Sequence, residues 1–597
     1  MTMNEMTTLL KRMPGRVGQA LILAVLLTSC AVIDGRVGAD RPEAQPVAAP
    51  AAGLSAADLA APDSGPGRPA QQLTDDMMFD ILLAEIAGQR GEMDISVTRY
   101  LQAANEARDP RVAERAVQIA SYAKRYDLAL EAAKRWVLLD NENLDAHKAL
   151  TALALQQGDL DEVVTQMDYL LRNSADPEEN FRMITVVLAR HEDKQAVVNA
   201  TRQLVDRYPG NPYAWMSLSR LAVVAGQLDT AMDAVDHVLA LRPEMATAII
   251  LKAQVMLRQE RKADATRLLK DAAEKYPQNT DLLFTYGRML LDGEDLAAAK
   301  QQFHNVVKVD PEHADGLYSL ALLELETKNY RSGEKYLKQL LELDEHVQNA
   351  YYYLGYAARE QGKDEAALGW YLRVESGDYW NQSQLHAASI MVKRGEIERM
   401  HEYMRGLRQK NPLMAIQLFI IEGQALTDAG LNQEAFDLYS SALQHTPDEE
   451  DLLYSHSLAA ERLGKLDVAE KSLRSILAQD PDNVRTLNAL GYTLADRTDR
   501  YQEALQYISK AYAQEPDDPA IVDSMGWVYF RLGDLDKARE YLQKAWEISK
   551  DSEIGAHYGE VLWIIGERDT AMQVWEVSRQ ANPDDPLLLE VINRLNP

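Results

Sequence analysis

The chain holds one cysteine, Cys30, in 597 residues. That excludes an intrachain disulfide and any zinc site built on two or four thiolates. Positive charge is also scarce: 63 Lys and Arg stand against 92 Asp and Glu, a formal charge of −29. So acidic a chain repels phosphate backbones, and nucleic acid is not expected as a partner. No apolar run approaches the ~20 residues that a membrane-spanning helix needs. The catalytic strings G-x-x-x-x-G-K-[ST], H-E-x-x-H and G-x-S-x-G are missing, as is an EF-hand loop. The eleven histidines are scattered over the length. Two of them, His386 and His401, fall in one segment, where packing is a better reading than a metal site. No catalytic residue, metal or cofactor is therefore expected, and the chain is read as not an enzyme. What remains is ordinary for a folded body, with 46% hydrophobic and 26% charged residues.

The first thirty residues read as an address. Lys11, Arg12 and Arg16 precede a short apolar run, Ala20 through Leu27, the order of a secretory signal peptide. The string Leu27-Thr28-Ser29-Cys30 resembles a bacterial lipobox. That resemblance implies cleavage before Cys30, leaving residues 1–29 as signal peptide and a lipidated cysteine at the new amino terminus. Several acyl chains anchor a protein stably where one does not. Ala31 rather than Asp after the cysteine resembles the outer-membrane sorting pattern, with the periplasmic face as the expected side. A plain secretory signal with a chance cysteine is the competing reading. Residues 31–72, rich in Ala, Pro, Gly and Asp, can bury little apolar area and read as a disordered tether. About 40 coil residues reach on the order of 35 Å.

Length alone suggests about four domains, but a period of 34 residues replaces that estimate. In the copy Thr280–Glu312, Gly287 stands at position 8, Ala299 at 20, Phe303 at 24 and Pro311 at 32. One period earlier, Ala253, Ala265 and Pro277 occupy positions 8, 20 and 32. Copies starting at 110, 144, 178, 212, 246, 280, 314 and 348 hold this register, and later ones start near 381, 416, 450, 484, 519 and 552. With a weaker copy near Met77, residues 73–585 hold about fifteen. Val163 and Val197 replace the small residue of position 20, which predicts looser packing there. The copy at 484 carries an extra residue between Ala495 and Tyr501. Glu375-Ser376-Gly377-Asp378 shifts the register by one, so a break is allowed for near 375–385.

Within each copy, apolar residues recur at helical spacing in two runs separated by a turn, and such hairpins expose apolar stripes unless neighbours stack on them. Small residues at 8 and 20 let the two helices approach, and the proline stops the second. Pro586–Pro597 places Leu588, Val591, Ile592 and Leu595 on one helical face, as a closing helix would. The pattern closely resembles the tetratricopeptide repeat. The resemblance implies an all-α superhelical solenoid of helix-turn-helix repeats with a C-terminal capping helix.

It also implies a binding groove. In this family, positions 2, 5, 9 and 12 of each first helix face the concave side. Carried over, they nominate Tyr213, Met216, Arg220, Phe284, Arg288, Tyr318, Tyr352, Tyr356, Tyr492, Trp527, Phe530 and Trp563. Aromatic residues and Arg dominate binding hot spots, and the alternative for each is packing within or between repeats. The Lys, Arg and Asn pattern of a carboxylate clamp is not seen. Basic partners suit the acidic surface.

A lipid anchor, a spacer and a long repeat body resemble lipoproteins of the LbcA type. Those bind a periplasmic carboxy-terminal processing protease, CtpA, and present peptidoglycan hydrolases to it. The resemblance rests on this build and on the stretches LGYTLADRTDRYQEAL and DSMGWVYFRLGDLDKA. It implies an adaptor whose partners are that protease and those hydrolases. The alternative is a scaffold in an outer-membrane polysaccharide-export or pilus-assembly machine.

Overall fold

The computed structural model describes residues 74–173 and 177–595. The signal segment, Leu27, Thr28, Ser29, Cys30 and the tether lie outside them, as do residues 596–597. The described chain is helical, with no strand. It divides after Val309 into two compact units. The first holds seven helical hairpins, from the Asp75–Gln89 helix to the Leu296–Val309 helix, and the second holds eight and a final helix.

Local sequence explains where each hairpin starts and stops. Pro519–Arg531 begins on Asp518, whose carboxylate accepts the N–H groups of Ala520 and Ile521, with Pro519 at the first helical position. That proline loses nothing there, because the first N–H groups of a helix have no partner within it. Leu228–Leu241 ends just before Arg242 and Pro243. Between paired helices the chain turns through a left-handed residue, Gly226 in one copy and Gly362 in another. The copy at 484 is built differently. Its first helix runs on to Arg497, and Thr498 Oγ1 closes the turn by accepting the N–H of Arg500 at 3.0 Å. The extra residue is absorbed in that turn.

Close helix approach depends on the pairing of positions 8 and 24. A Cβ added to Gly287 would lie 2.8 Å from the ring of Phe303, and one on Gly355 would lie 2.7 Å from the ring of Tyr371. Gly559 stands in the same relation to Trp575. Position 20 is equally tight, since Ala231, Ala265, Ala299, Ala435 and Ala504 are wholly buried or nearly so. Val163 and Val197, where Ala was the pattern, are buried as fully. Burial alone therefore shows no loosening at these two positions.

In the second unit the Asp364–Tyr371 helix is short, and an irregular turn joins it to Trp380–Lys393. This is the register shift seen at 375–385; it lies inside the second unit rather than between the two. The last helix, Pro586–Leu595, buries Leu588 and Val591 and half-buries Ile592 and Leu595. Arg594 at its end pairs with the buried Glu560 at 2.7 Å. This helix covers the apolar stripe that the last hairpin would otherwise expose.

Candidate functional site

The first helices of successive hairpins carry the nominated groove residues, and the structure treats them unequally. In the first unit, Tyr213 is half-buried with the Arg242 guanidinium 5.9 Å from its ring centre. Hydrogen bonding to Glu178, then burial, push its hydroxyl up. Phe284 leans on Phe303 with ring centres 5.5 Å apart. Arg220 and Arg288 are half-buried, and Arg288 lies near Asp292, whose carboxyl burial pushes up. Met216 requires correction. It is 5% exposed and packs among Val235, Val238, Ala248 and Leu251, so it is core rather than groove. An unbranched thioether fills such a gap between neighbouring hairpins readily.

The second unit holds two richer clusters. In one, Tyr318 stacks on His346 at 4.7 Å, and Tyr352 stacks on Tyr379 at 4.3 Å. The hydroxyls of Tyr353 and Tyr379 are 2.7 Å apart. Tyr379 comes from the irregular turn, so the register shift places an extra ring against the first helices. Arg359 lies 5.6 Å from the ring centre of Tyr356, and its guanidinium also donates to the imidazole of His386. Burial, then the charge of Arg359, lowers His386 to about 4. Burial also pushes the Tyr352 hydroxyl up to about 12.

The other cluster joins three successive first helices: Val484–Arg497, Pro519–Arg531 and Ser552–Ile564. Trp527 is 7% exposed, stacks on His557 at 4.1 Å, and donates from Nε1 to Asp496 at 3.1 Å. It too is corrected, from an open groove residue to an enclosed one. Phe530 lies against it at 5.0 Å and stays half-buried. His557, 1% exposed, contacts Asp523 through Nδ1 at 2.8 Å. Burial opposes its charged form, but Asp523, with Glu553 and Asp496 behind it, outweighs that and holds the imidazole above its ordinary value. Farther along, Trp563 leans on Trp575 and lies 5.0 Å from the Arg568 guanidinium.

Two residues of this cluster stand at groove positions yet were not nominated: Asp523 at position 5 and Glu553 at position 2. The register located both; a choice restricted to aromatics, Arg and Met passed them over. Among the described residues, no group of three or more metal-ligating side chains could hold an ion. No described helix is long and apolar enough to cross a membrane.

Comparison with known proteins agrees with this architecture. Over 487 residues the chain is 34% identical to the TPR repeat-containing protein PA4667 of Pseudomonas aeruginosa, covering 82% of each. The chain belongs to that family. Residues 185–317 match the Cytochrome c-type biogenesis protein H TPR domain. Tetratricopeptide repeat models match 318–381, 454–519 and 497–560. Cellulose synthase operon protein C of Pseudomonas fluorescens is 23% identical over 57% of this chain and 26% of its own length. A thermophilic TPR protein of Thermus thermophilus is 24% identical, matching 30% of this chain and 97% of its own with a TM-score of 0.28. The chain is thus a tetratricopeptide-repeat protein, of a fold class that binds proteins.

Proposed function

We propose that this tetratricopeptide-repeat protein is a non-catalytic adaptor, held to the periplasmic face of the outer membrane through lipidated Cys30. It collects periplasmic proteins on its first helices. One observation carries the reading: successive first helices of the second unit bring half-buried rings and an Arg side chain together, Tyr318 standing 6.1 Å from Tyr353 and Arg359 donating to His386 on the next first helix. Trp, Tyr and Arg are the residue types enriched at binding hot spots. The adaptor holds a carboxy-terminal processing protease and a peptidoglycan hydrolase on one scaffold. Two proteins so held meet at a raised effective concentration, which increases productive encounters without new chemistry.

Cross-linking in the native envelope, followed by identification of captured proteins, tests this. Recovery of the protease with cell-wall hydrolases supports it. Recovery of a secretin or polysaccharide porin alone defeats it and favours the export-scaffold reading. The anchor is tested separately. Cys30→Ala should leave the membrane fraction, and retention there would remove the lipid from the account.

A further inference from the structure

The two ends of the described chain are finished differently. At the carboxyl end, Pro586–Leu595 covers the last hairpin. At the amino end, the Asp75–Gln89 helix is itself the outer face, and that face is apolar: Met78, Phe79, Leu82 and Ile86 are each 46% exposed or more. A terminal repeat normally turns a polar surface outward, because apolar area left in water at the end of a stack invites association. At 3.6 residues per turn the four fall within about 100° of arc, opposite the buried Met77, Asp80, Ala84 and Ala87.

The charges of this helix sort by where they are answered. Asp80 pairs with Arg99 at 3.0 Å and Glu85 with Arg115 at 3.3 Å, both on the next two helices. Asp75 and Asp76 in its first turn, and Arg90 just past its last, are exposed and form no ion pair among the described residues. The apolar stripe thus has acid at one end and a base at the other.

That pattern is self-complementary. Leu82 is the middle residue of Asp75–Gln89. When a second copy of the helix is turned end for end about this point, Leu82 meets Leu82. Phe79 then comes within about 2 Å, along the axis, of the level of the partner's Ile86, and Asp75 and Asp76 within about 3 Å of the level of its Arg90. Asp76 and Arg90 lie on the same flank of the stripe, and a two-fold turn keeps them there. A parallel pair would set Asp75 and Asp76 against themselves and Arg90 against Arg90. Apolar contact and charge agree only in the antiparallel arrangement.

We propose that the outer face of the first helix docks a second copy of this chain, through an antiparallel, two-fold pairing of the two Asp75–Gln89 helices centred on Leu82. Closed two-fold pairing is the commonest form of self-association. It covers the open end of the stack with no further residue. One helix from each copy falls short of the ~1,600 Å² of a stable interface, so the pair is reversible. The inference goes beyond the adaptor reading, which uses no residue of this helix.

Cysteine cross-linking in the native envelope tests this, because Cys30, the only cysteine of the chain, lies outside the helix. Under copper–phenanthroline oxidation, Leu82→Cys should give a linked band at twice the mass of the chain, well above wild type. Asp75→Cys alone should not, since the pairing sets its two copies about 20 Å apart; co-expressed with Arg90→Cys, it should. Phe79→Asp with Ile86→Asp should abolish the Leu82→Cys link while the chain stays folded by circular dichroism, since both side chains are exposed. Arg90→Glu should lower the link about three-fold or more, and Asp75→Arg with Asp76→Arg, added to it, should restore it. A Leu82→Cys band no stronger than wild type overturns the proposal, as expected where lipid or another segment of the chain covers this face. So does a self-link at Asp75→Cys as strong as that at Leu82→Cys, or an adduct with a different protein in place of the doubled band. A link that survives Phe79→Asp with Ile86→Asp marks chance collision and overturns it as well. None of these results bears on capture of periplasmic proteins, so the adaptor reading stands or fails separately.

Discussion

The Tyr492 hydroxyl donates to Glu553 across 3.0 Å, although 61 residues separate them. Their helices belong to copies two repeats apart, starting at 484 and 552, so this bond passes over the copy between. Most stabilisation in a repeat stack is between neighbours; here a next-nearest link is added. Tyr492→Phe removes the donor while Glu553, with its exposed edge, turns to water. The loss should be near the low end for a hydrogen bond, about 0.5–1.5 kcal/mol in urea unfolding. A loss above about 3 kcal/mol would mean that the ring is misplaced as well.

Glycines inside the helices divide into two kinds, and Ala substitution should act on them with opposite sign. At Gly355 the new methyl would meet the buried Tyr371 ring, and overpacking of this type costs about 1–3 kcal/mol. Gly406 lies within Ile397–Lys410 with nothing within 4 Å of where its Cβ would stand. There, Ala should stabilise by about 0.5–1 kcal/mol through helix propensity alone. Urea midpoints for the two variants, measured side by side, check this; a shift of the same sign in both would show that the positions are not distinguished by packing.

Trp527 and Tyr356 were nominated on equal terms, and the structure separates them. Trp527 is enclosed by His557, Phe530 and Asp496, so Trp527→Ala should cost about 3–5 kcal/mol of stability. Tyr356 is half-buried beside Arg359, so Tyr356→Ala should cost about 1 kcal/mol. Thermal melts of the two variants decide the matter, and equal shifts would refute the distinction.

The repeat, its hairpins and the closing helix were legible because their determinants are local. Small residues at 8 and 20, a large one at 24 and a stopping proline recur where backbones must touch or end, as at Gly287, Phe303 and Pro311. Enclosure of a first-helix side chain is not local. It depends on how far each hairpin rotates against the next, a small angle that the 34-residue spacing does not record. That is why Met216 and Trp527 were read as open and are closed. Tyr379 escaped notice for another reason: it sits in the turn where the register slips, so no repeat position described it.

His386 and His401 titrate in opposite directions, and that gives a prediction with a sign for each. Burial and Arg359 depress His386 to about 4, and its neutral ring accepts the Arg359 guanidinium at 3.0 Å. A depressed group contributes stability above the unfolded value of about 6.5, and loses it as pH falls toward the folded value. Between pH 7.5 and 5.5 this should lower wild type by about 1 kcal/mol relative to His386→Asn, which keeps an acceptor for Arg359. His401 behaves oppositely. Its hydrogen bond to the buried Glu422, at 2.5 Å, holds it above its ordinary value against the cost of burial. A raised group contributes fully below about 6.5 and loses its contribution as pH climbs through the folded value. The stability gap between wild type and His401→Asn should therefore be widest near pH 6 and narrow toward pH 8.5. Urea midpoints across that range give two difference curves of opposite slope. Parallel curves would mean that neither Arg359 nor Glu422 sets the charge of its histidine. Both residues lie on one hairpin, with His386 in Trp380–Lys393 and His401 in Ile397–Lys410. His386 acts mainly below about pH 6.5 and His401 mainly above it, so the pair gives wild type a stability maximum near that pH, and each single variant loses one flank of it.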